Sequence, residues 1–207
     1  MPRAAASSSL GFSVRMRSHD YNDRMSVAIA RRCVLSAHPT TGCEGIHGVE
    51  VQARVADGVD FAFDYLLQGD TSLVRVPAAS SAERADGLWK HTCFEAFIAL
   101  GQSTAYYELN FAPTGQWAAY RFTAYREEMA PLPLAEDPRI RVRCSSERLE
   151  LSVTLRLQPA ELGGPKARKA AFAAVVEKQD GTLCYWAARH PAEKPDFHHP
   201  DAFVLEL

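Results

Sequence analysis

Two glutamates and an asparagine give this sequence its clearest potential for binding chemistry. Glu95 lies in the segment CFEAFIAL, and Glu108 and Asn110 lie in the segment YYELNF. Both segments alternate as a β-strand does, with successive side chains on opposite faces of the sheet. We therefore expect the three polar side chains to point away from the apolar core and to share one open sheet surface. Carboxylate and amide groups on such a surface could bind sugar hydroxyl groups.

A pair of carboxylates can also carry out acid and base catalysis. Glycosidases use two of them roughly 5 to 10 Å apart, and adjacent strands would allow that separation for Glu95 and Glu108. However, the sequence contains no G-x-S-x-G motif, no P-loop and no dinucleotide fingerprint. The residues favour a non-catalytic binding role and leave a carboxylate-dependent sugar-active enzyme as the alternative.

Aromatic and basic residues flank the two polar strands. Trp89 and His91 belong to the loop-like segment ADGLWKHT, where an aromatic side chain could form an exposed platform or cap the core. Trp117 and Arg121 follow the turn APTG, and a shift of one residue there would exchange the two faces of the strand. The sequence leaves open whether these two side chains face Glu108 or whether Trp117 is buried. The predicted ligand-binding set is Trp89, His91, Glu95, Glu108, Asn110, Trp117 and Arg121.

The C-terminal segment HPAEKPDFHHPDAF holds the densest group of potential metal ligands. It carries His190, Asp196, His198, His199 and Asp201. Consecutive histidines point in opposite directions on a strand, and the segment lacks a recognised zinc-binding spacing. Its three prolines favour an ordered loop whose histidines bond to the backbone or line the mouth of a pocket. We therefore predict no metal site.

Alternating apolar residues recur along the chain and predict the elements that position these groups. Residues 149–157 alternate most regularly, and Asp57-Gly58 joins two alternating runs as a hairpin turn would. About ten or eleven short strands separated by turns predict an all-β fold, an antiparallel β-sandwich. Two short helices are predicted, at residues 123–129 and 159–162.

Composition sets the boundaries of the domain and excludes some partners. Residues 1–25 lack periodicity and predict a disordered tail, with one domain over residues 26–207 and Met25 as a candidate natural start. A net charge of −2 argues against nucleic-acid binding, which usually needs a basic face. No apolar run is long enough to span a membrane. Five widely spaced cysteines fit reduced thiols, so we expect a cytoplasmic protein.

Four segments together resemble a known family. DGLWKHTCFEAFI, YYELNFAPTGQWAAYRF, YWAARHP and PDFHHPDAF look like the bacterial DOMON-like proteins related to family 9 carbohydrate-binding modules, over about residues 33–207. The resemblance implies a non-catalytic β-sandwich of about ten strands that binds sugars in some members and haem in others. It also implies that tryptophans stack on sugar rings beside charged and amide groups. Haem-binding relatives use a Met and a His, but no such pair is identifiable here, so no cofactor is predicted.

The leading hypothesis is therefore a non-catalytic β-sandwich that binds a small, sugar-like ligand on the face carrying Glu95, Glu108 and Asn110. The first alternative is the sugar-active enzyme. The second is an interaction module whose exposed aromatic residues contact a protein partner.

Overall fold

The computed structural model describes residues 29–78, 81–101, 103–158 and 168–207. The tail predicted at residues 1–25 and the helix predicted at residues 159–162 lie outside these ranges. Within them the chain is built from antiparallel strands, which confirms the all-β prediction. The strands are β1 Ile29–Ala37, β2 Ile46–Ala56, β3 Asp60–Gly69, β4 Cys93–Ala99, β5 Tyr106–Phe111, β6 Trp117–Phe122, β7 Ala130–Pro131, β8 Arg139–Cys144, β9 Arg148–Arg156, β10 Lys169–Glu177, β11 Leu183–Ala187 and β12 Leu205–Glu206.

The strands form one hydrogen-bonded sheet instead of two separate ones. Its order is β7-β6-β5-β4-β10-β11-β1-β2-β3-β9-β8, and β12 pairs with β10. Strand β1 joins the two halves, because it pairs with β2 along most of its length and with β11 through Ser36 and Ala37. We call β1-β2-β3-β9-β8 the first half of the sheet and β7-β6-β5-β4-β10-β11 the second half.

The two halves face each other across the main core. Phe63 of β3 packs edge-on against Phe172 of β10, with ring centroids 5.5 Å apart, and Tyr65 packs against Phe94 of β4 at 5.1 Å. The Tyr65 hydroxyl donates a hydrogen bond of 2.9 Å to the backbone carbonyl of Glu95. Contacts between residues so far apart in sequence fix which face of β4 is internal.

Local sequence explains the strands and their turns. In β9 buried and more exposed residues alternate along the whole strand, as the sequence pattern predicts. The hairpin between β2 and β3 turns at Asp57 and Gly58, whose φ angles of 51° and 68° are both left-handed. Asp-Gly favours this conformation because two-residue hairpin turns of type I′ need positive φ at both positions.

A second apolar cluster covers the opposite face of the second half of the sheet. It contains Phe97, Tyr120, Phe122 and Val175 from the strands, and Phe197 and Ala202 from the C-terminal segment. The sheet is therefore covered on this face too, and the C-terminal segment of residues 195–203 forms part of the cover. This layer encloses the candidate site.

Helix is almost absent from the described residues, which contain only three 3₁₀ turns, at Thr71–Leu73, Leu88–Lys90 and Pro200–Ala202. The helix predicted at residues 123–129 is wrong. Arg126 and Glu128 have φ angles of 57° and 49°, which an α-helix excludes. The segment instead forms a tight loop, in which the Thr123 amide donates to the Glu127 carbonyl. No helix among the described residues is long and apolar enough to cross a membrane.

Candidate functional site

The register between β4 and β5 brings Glu95, Glu108 and Asn110 to one sheet face. Glu95 pairs with Asn110, and Phe97 pairs with Glu108, so the two glutamates are diagonal neighbours. This face lies opposite the main core, as the alternation predicts. It is not an open surface, however: the three residues are only 3%, 4% and 0% exposed. The expectation of a solvent-facing carboxylate pair is therefore wrong, because distant segments cover the strands.

The C-terminal segment covers this face chiefly through His198. Its ring contacts Phe97, Tyr106 and Phe122, with centroid distances of 5.1, 5.8 and 5.2 Å. The Nδ1 atom of His198 lies 2.7 Å from the Tyr106 hydroxyl, and the Nε2 atom lies 3.6 Å from Oε2 of Glu108. His198 therefore contacts both an aromatic wall and one of the two carboxyl groups.

Asp196 connects the C-terminal segment to the loop at residues 123–129. Its carboxylate accepts hydrogen bonds from the Tyr125 hydroxyl at 2.5 Å and from Nη2 of Arg126 at 2.9 Å. The backbone amide of His198 donates to the same carboxylate at 3.2 Å. Burial alone would raise the pKa of Asp196, but the hydrogen bonds from Tyr125 and Arg126 outweigh it and lower that pKa. Asp196 is therefore an anion that ties the C-terminal segment to the loop at residues 123–129 and pairs with Arg126.

Between the sheet and this cover lies a cavity of about 320 Å³. Its polar lining consists of Glu95, Glu108, Arg126 and His198. Its aromatic and apolar lining consists of Trp89, Phe122, Met129, Val175, Tyr185, Pro195 and Phe197. The volume is at the lower end of the ~300–1,000 Å³ typical of ligand cavities, which suits a small ligand.

Burial controls the charge of the two glutamates. It raises the pKa of Glu108 from 4.5 to about 7, although the Asn110 hydrogen bond and the Arg126 charge oppose the rise. Burial and the nearby Glu108 charge raise the pKa of Glu95 well above its usual range, and Arg126 again opposes this. The cavity therefore holds carboxyl groups that are at least partly protonated near neutral pH.

His198 is neutral in the same conditions. Burial and the positive charge of Arg126 lower its pKa to about 4, and Asp196 only partly compensates. A neutral His198 cannot balance the charge of an ionised Glu108. The positive charge that lines the cavity is that of Arg126, which is paired with Asp196.

Two buried oxygen atoms on this face lack hydrogen-bond partners among the described residues. The Nδ2 group of Asn110 donates to Oε1 of Glu108 at 2.7 Å, but Oδ1 of Asn110 accepts no hydrogen bond. Oε1 of Glu95 is also without a partner. Buried polar groups are normally satisfied, so these two oxygen atoms retain unused hydrogen-bonding capacity on the face that borders the cavity.

Of the predicted aromatic residues, Trp89 lines the cavity and Trp117 does not. Trp89 packs edge-on against Tyr120 with centroids 5.7 Å apart. Trp117 pairs with Phe111 and is 5% exposed in the main core. In this register Ala118 and Tyr120 lie opposite Asn110 and Glu108 on the site face. The alternative in which Trp117 faces the ligand is therefore corrected: it is a core residue.

Arg121 and His91 also lie outside the cavity lining. Arg121 is exposed on the strand face that carries Trp117, opposite Tyr107. His91 has a side chain 62% exposed, and its Nδ1 atom lies 2.8 Å from Oε2 of Glu177. Neither Arg121 nor His91 lines the cavity that contains Glu95 and Glu108.

Sequence reasoning missed several lining residues, including Arg126, Tyr185 and Phe197. Arg126 lies in the segment predicted as a helix, and Tyr185 and Phe197 lie far along the chain from Glu95. The C-terminal prolines and histidines indicate an ordered loop whose histidines bond to the backbone or line a pocket: His190 bonds to the Ser36 carbonyl, and His198 lines the cavity. The sequence offers no local signal of which strands that loop covers.

Met129 and His198 both line the cavity, but Nδ1 of His198 lies 2.7 Å from the Tyr106 hydroxyl and Nε2 lies 3.6 Å from Oε2 of Glu108. Both ring nitrogens of His198 are therefore directed at protein groups. The described residues contain no group of three or more side chains suited to a metal ion.

The fold is similar to that of a solved structure. A proposed carbohydrate-binding protein from Bacteroides uniformis ATCC 8492 superposes with a TM-score of 0.60 at 18% sequence identity, covering 89% of this chain and 86% of that one. At this identity the similarity shows the shared fold alone.

Two weaker structural matches are family 9 carbohydrate-binding modules from Caldicellulosiruptor kristjanssonii. The complex with cellotriose has a TM-score of 0.44 at 9% identity, covering 77% of this chain and 72% of that one. The complex with glucose has a TM-score of 0.42 at 9% identity, covering 75% and 74%. Values this low support no argument about this chain. No family model matches the sequence, and no curated protein matches it significantly.

Proposed function

We propose that this protein binds a small carbohydrate-type ligand in the cavity between β4, β5 and the C-terminal segment, without transforming it. The observation that carries the proposal is the combination of aromatic side chains with buried carboxyl groups in one small cavity. Trp89 and Phe197 supply flat apolar surface, and Glu95 and Glu108 supply hydrogen-bonding groups. Sugars need both, because their rings have apolar C–H faces and hydroxyl edges.

Two further facts support a binding role. Glu95 lines the cavity and its buried Oε1 has no partner among the described residues, so hydrogen-bonding capacity remains beside the cavity. The B. uniformis structure with the same fold belongs to a protein proposed to bind carbohydrate. We also propose that the chain is related to the DOMON-like proteins, on the strength of the four sequence segments.

A carboxylate-dependent hydrolase is the second candidate, because Glu108 has a pKa of about 7 and could act as an acid. The protonation of the two glutamates argues against it. Glycosidases need one protonated carboxyl group and one ionised carboxylate, whereas burial raises the pKa of both Glu95 and Glu108.

Ligand binding can be tested by thermal unfolding in the presence of a panel of mono- and disaccharides. A ligand at a hundred times its dissociation constant stabilises by about 2.7 kcal/mol, a shift of roughly 5 to 10 °C for a chain of this size. The shift should disappear in Trp89→Ala and persist in the control Arg121→Ala, which alters an exposed residue outside the cavity. No shift with any saccharide, or an unchanged shift in Trp89→Ala, would overturn the proposal. Hydrolysis of a bound sugar, lost in Glu108→Gln, would favour the enzyme.

A further inference from the structure

The two glutamates of the cavity have no cation of their own among the described residues. Arg126 lines the cavity, but its guanidinium donates to Asp196 and makes no hydrogen bond with either glutamate. His198 lies 3.6 Å from Glu108 and is deprotonated near neutral pH. No lysine of the described ranges lines the cavity. Among the described residues, the two buried carboxyl groups therefore have only the charge of Arg126 nearby, which is shared with Asp196.

We propose that the ligand carries a protonated amino group, that it belongs to the amino sugars, and that its ammonium group binds between Glu95 and Glu108. This inference rests on the proposed function and specifies the class of sugar. The state of Glu95 supports a bound donor group independently of the charges. Glu95 is 3% exposed and lines the cavity, and its Oε1 atom has no hydrogen-bond partner among the described residues.

An ammonium group satisfies both carboxyl groups better than a hydroxyl group does. A buried carboxylate is costly unless it is paired and hydrogen-bonded. An ammonium group has three donors and no acceptor, so it can donate to both glutamates at once. Diagonal neighbours on adjacent strands are about 7 to 8 Å apart at the backbone, which places their carboxyl groups within reach of one cation.

The rest of the lining is compatible with a cation. Trp89, Phe122, Tyr185 and Phe197 surround the cavity, and aromatic faces attract positive charge. Asp196 pairs with Arg126 and partly offsets its positive charge, which reduces the repulsion of an ammonium group.

Binding an ammonium group should expel protons from the glutamates, because an opposite charge favours the ionised form of a carboxyl group. Near neutral pH burial keeps Glu108 partly protonated and Glu95 more so. Proton release is thus a signature that a neutral sugar would not produce. The titratable or charged groups facing the glutamates are Arg126 and His198 from the cover, Tyr106 and Cys93 from the strands, and Tyr185 from β11.

Isothermal titration calorimetry on the full chain at pH 7 tests this inference. The probes are glucosamine, galactosamine and mannosamine, each compared with its N-acetyl derivative and its parent hexose. Phosphate and MOPS serve as buffers, because an amine buffer such as Tris would compete. We expect at least one amino sugar to bind at least tenfold more tightly than both neutral counterparts, with a binding enthalpy that differs between the buffers because protons are released.

Substitutions of the two glutamates test whether the ammonium group binds between them. Glu95→Gln and Glu108→Gln keep the shape of each side chain and remove its charge, and each should reduce amino-sugar affinity at least tenfold. Glu147→Gln, an exposed glutamate in the turn before β9, is the matched control and should leave affinity unchanged. Thermal unfolding of each variant verifies the fold, and either glutamate variant alone is sufficient for the test.

The outcomes separate the two proposals. A neutral sugar that binds as tightly as its amino counterpart, or amino-sugar binding without proton release, would overturn the inference and leave the carbohydrate-binding proposal standing. Absence of binding by every sugar of the panel would overturn both.

Discussion

Replacing Glu108 by Gln should stabilise the protein above neutral pH, although it removes a charged group that has a hydrogen-bond partner. Burial holds the pKa of Glu108 at about 7 in the folded protein, compared with 4.5 for an ordinary glutamate. Between these values the unfolded chain releases a proton that the folded chain still holds. Stability therefore falls as pH rises through this range and levels off above pH 7.

The size of the effect follows from the difference of about 2.5 pKa units. At about 1.4 kcal/mol per unit, ionisation of Glu108 costs the folded state about 3 kcal/mol at pH 8, and most of this cost develops between pH 5 and pH 8. Gln resembles the protonated acid, and its side-chain oxygen can still accept the hydrogen bond from Asn110. The variant should be about 1 kcal/mol more stable than the wild type at pH 5 and about 3 kcal/mol more stable at pH 8.

Urea unfolding of the wild type and the Glu108→Gln variant at pH 5, 6, 7 and 8 measures this difference. Groups away from Glu108 titrate alike in both proteins, so their contributions cancel. Glu95 is the exception: the variant removes the neighbouring charge that helps to raise its pKa, which adds to the stability of the variant at high pH. Glu147→Gln is the control, and its stability should stay parallel to that of the wild type. A Glu108→Gln difference that is constant across this range, or that favours the wild type at pH 8, would refute the reasoning.

Three other substitutions test separate parts of the account. Trp117→Ala should cost roughly 3 to 5 kcal/mol of unfolding free energy and leave sugar affinity per folded molecule unchanged, because Trp117 lies in the main core; a stable variant that has lost binding would contradict this. The wild type should lose about 2 kcal/mol of unfolding free energy between pH 7 and pH 5, because His198 has a pKa of about 4 when folded and takes up a proton more readily when unfolded. The His198→Asn variant should lack this loss. If urea unfolding shows the same pH dependence of the unfolding free energy in both proteins, the prediction is wrong. Asp196→Asn should cost about 1 to 3 kcal/mol and speed amide hydrogen exchange in residues 195–203, because it removes the charge that pairs with Arg126 and leaves one acceptor oxygen for two donors, Tyr125 and Arg126. Unchanged exchange would show that Asp196 does not hold the C-terminal segment in place.

Local patterns predicted the strands and the face of the sheet that carries the polar residues. The alternation around Glu95 and Glu108 is a property of each strand and needs no knowledge of the rest of the chain. The Asp57-Gly58 turn is equally local, because it depends on the positive φ angles of two residues.

Properties that depend on distant contacts could not be predicted in this way. Glu95 was expected on an open surface, but the C-terminal segment covers it from about a hundred residues away. The position of Trp117 depended on the register of one hairpin, in which a shift of one residue reverses the faces. The helix expected at residues 123–129 does not form, and this segment instead donates hydrogen bonds from Tyr125 and Arg126 to Asp196, which is distant in sequence.

The most direct test of the central claim is a crystal structure of the protein with the saccharide that gives the largest thermal shift. We expect electron density for the sugar in the cavity, with its ring against Trp89 and its polar groups within hydrogen-bonding distance of Glu95 and Glu108. Density on another surface, with the cavity filled by water alone, would contradict it.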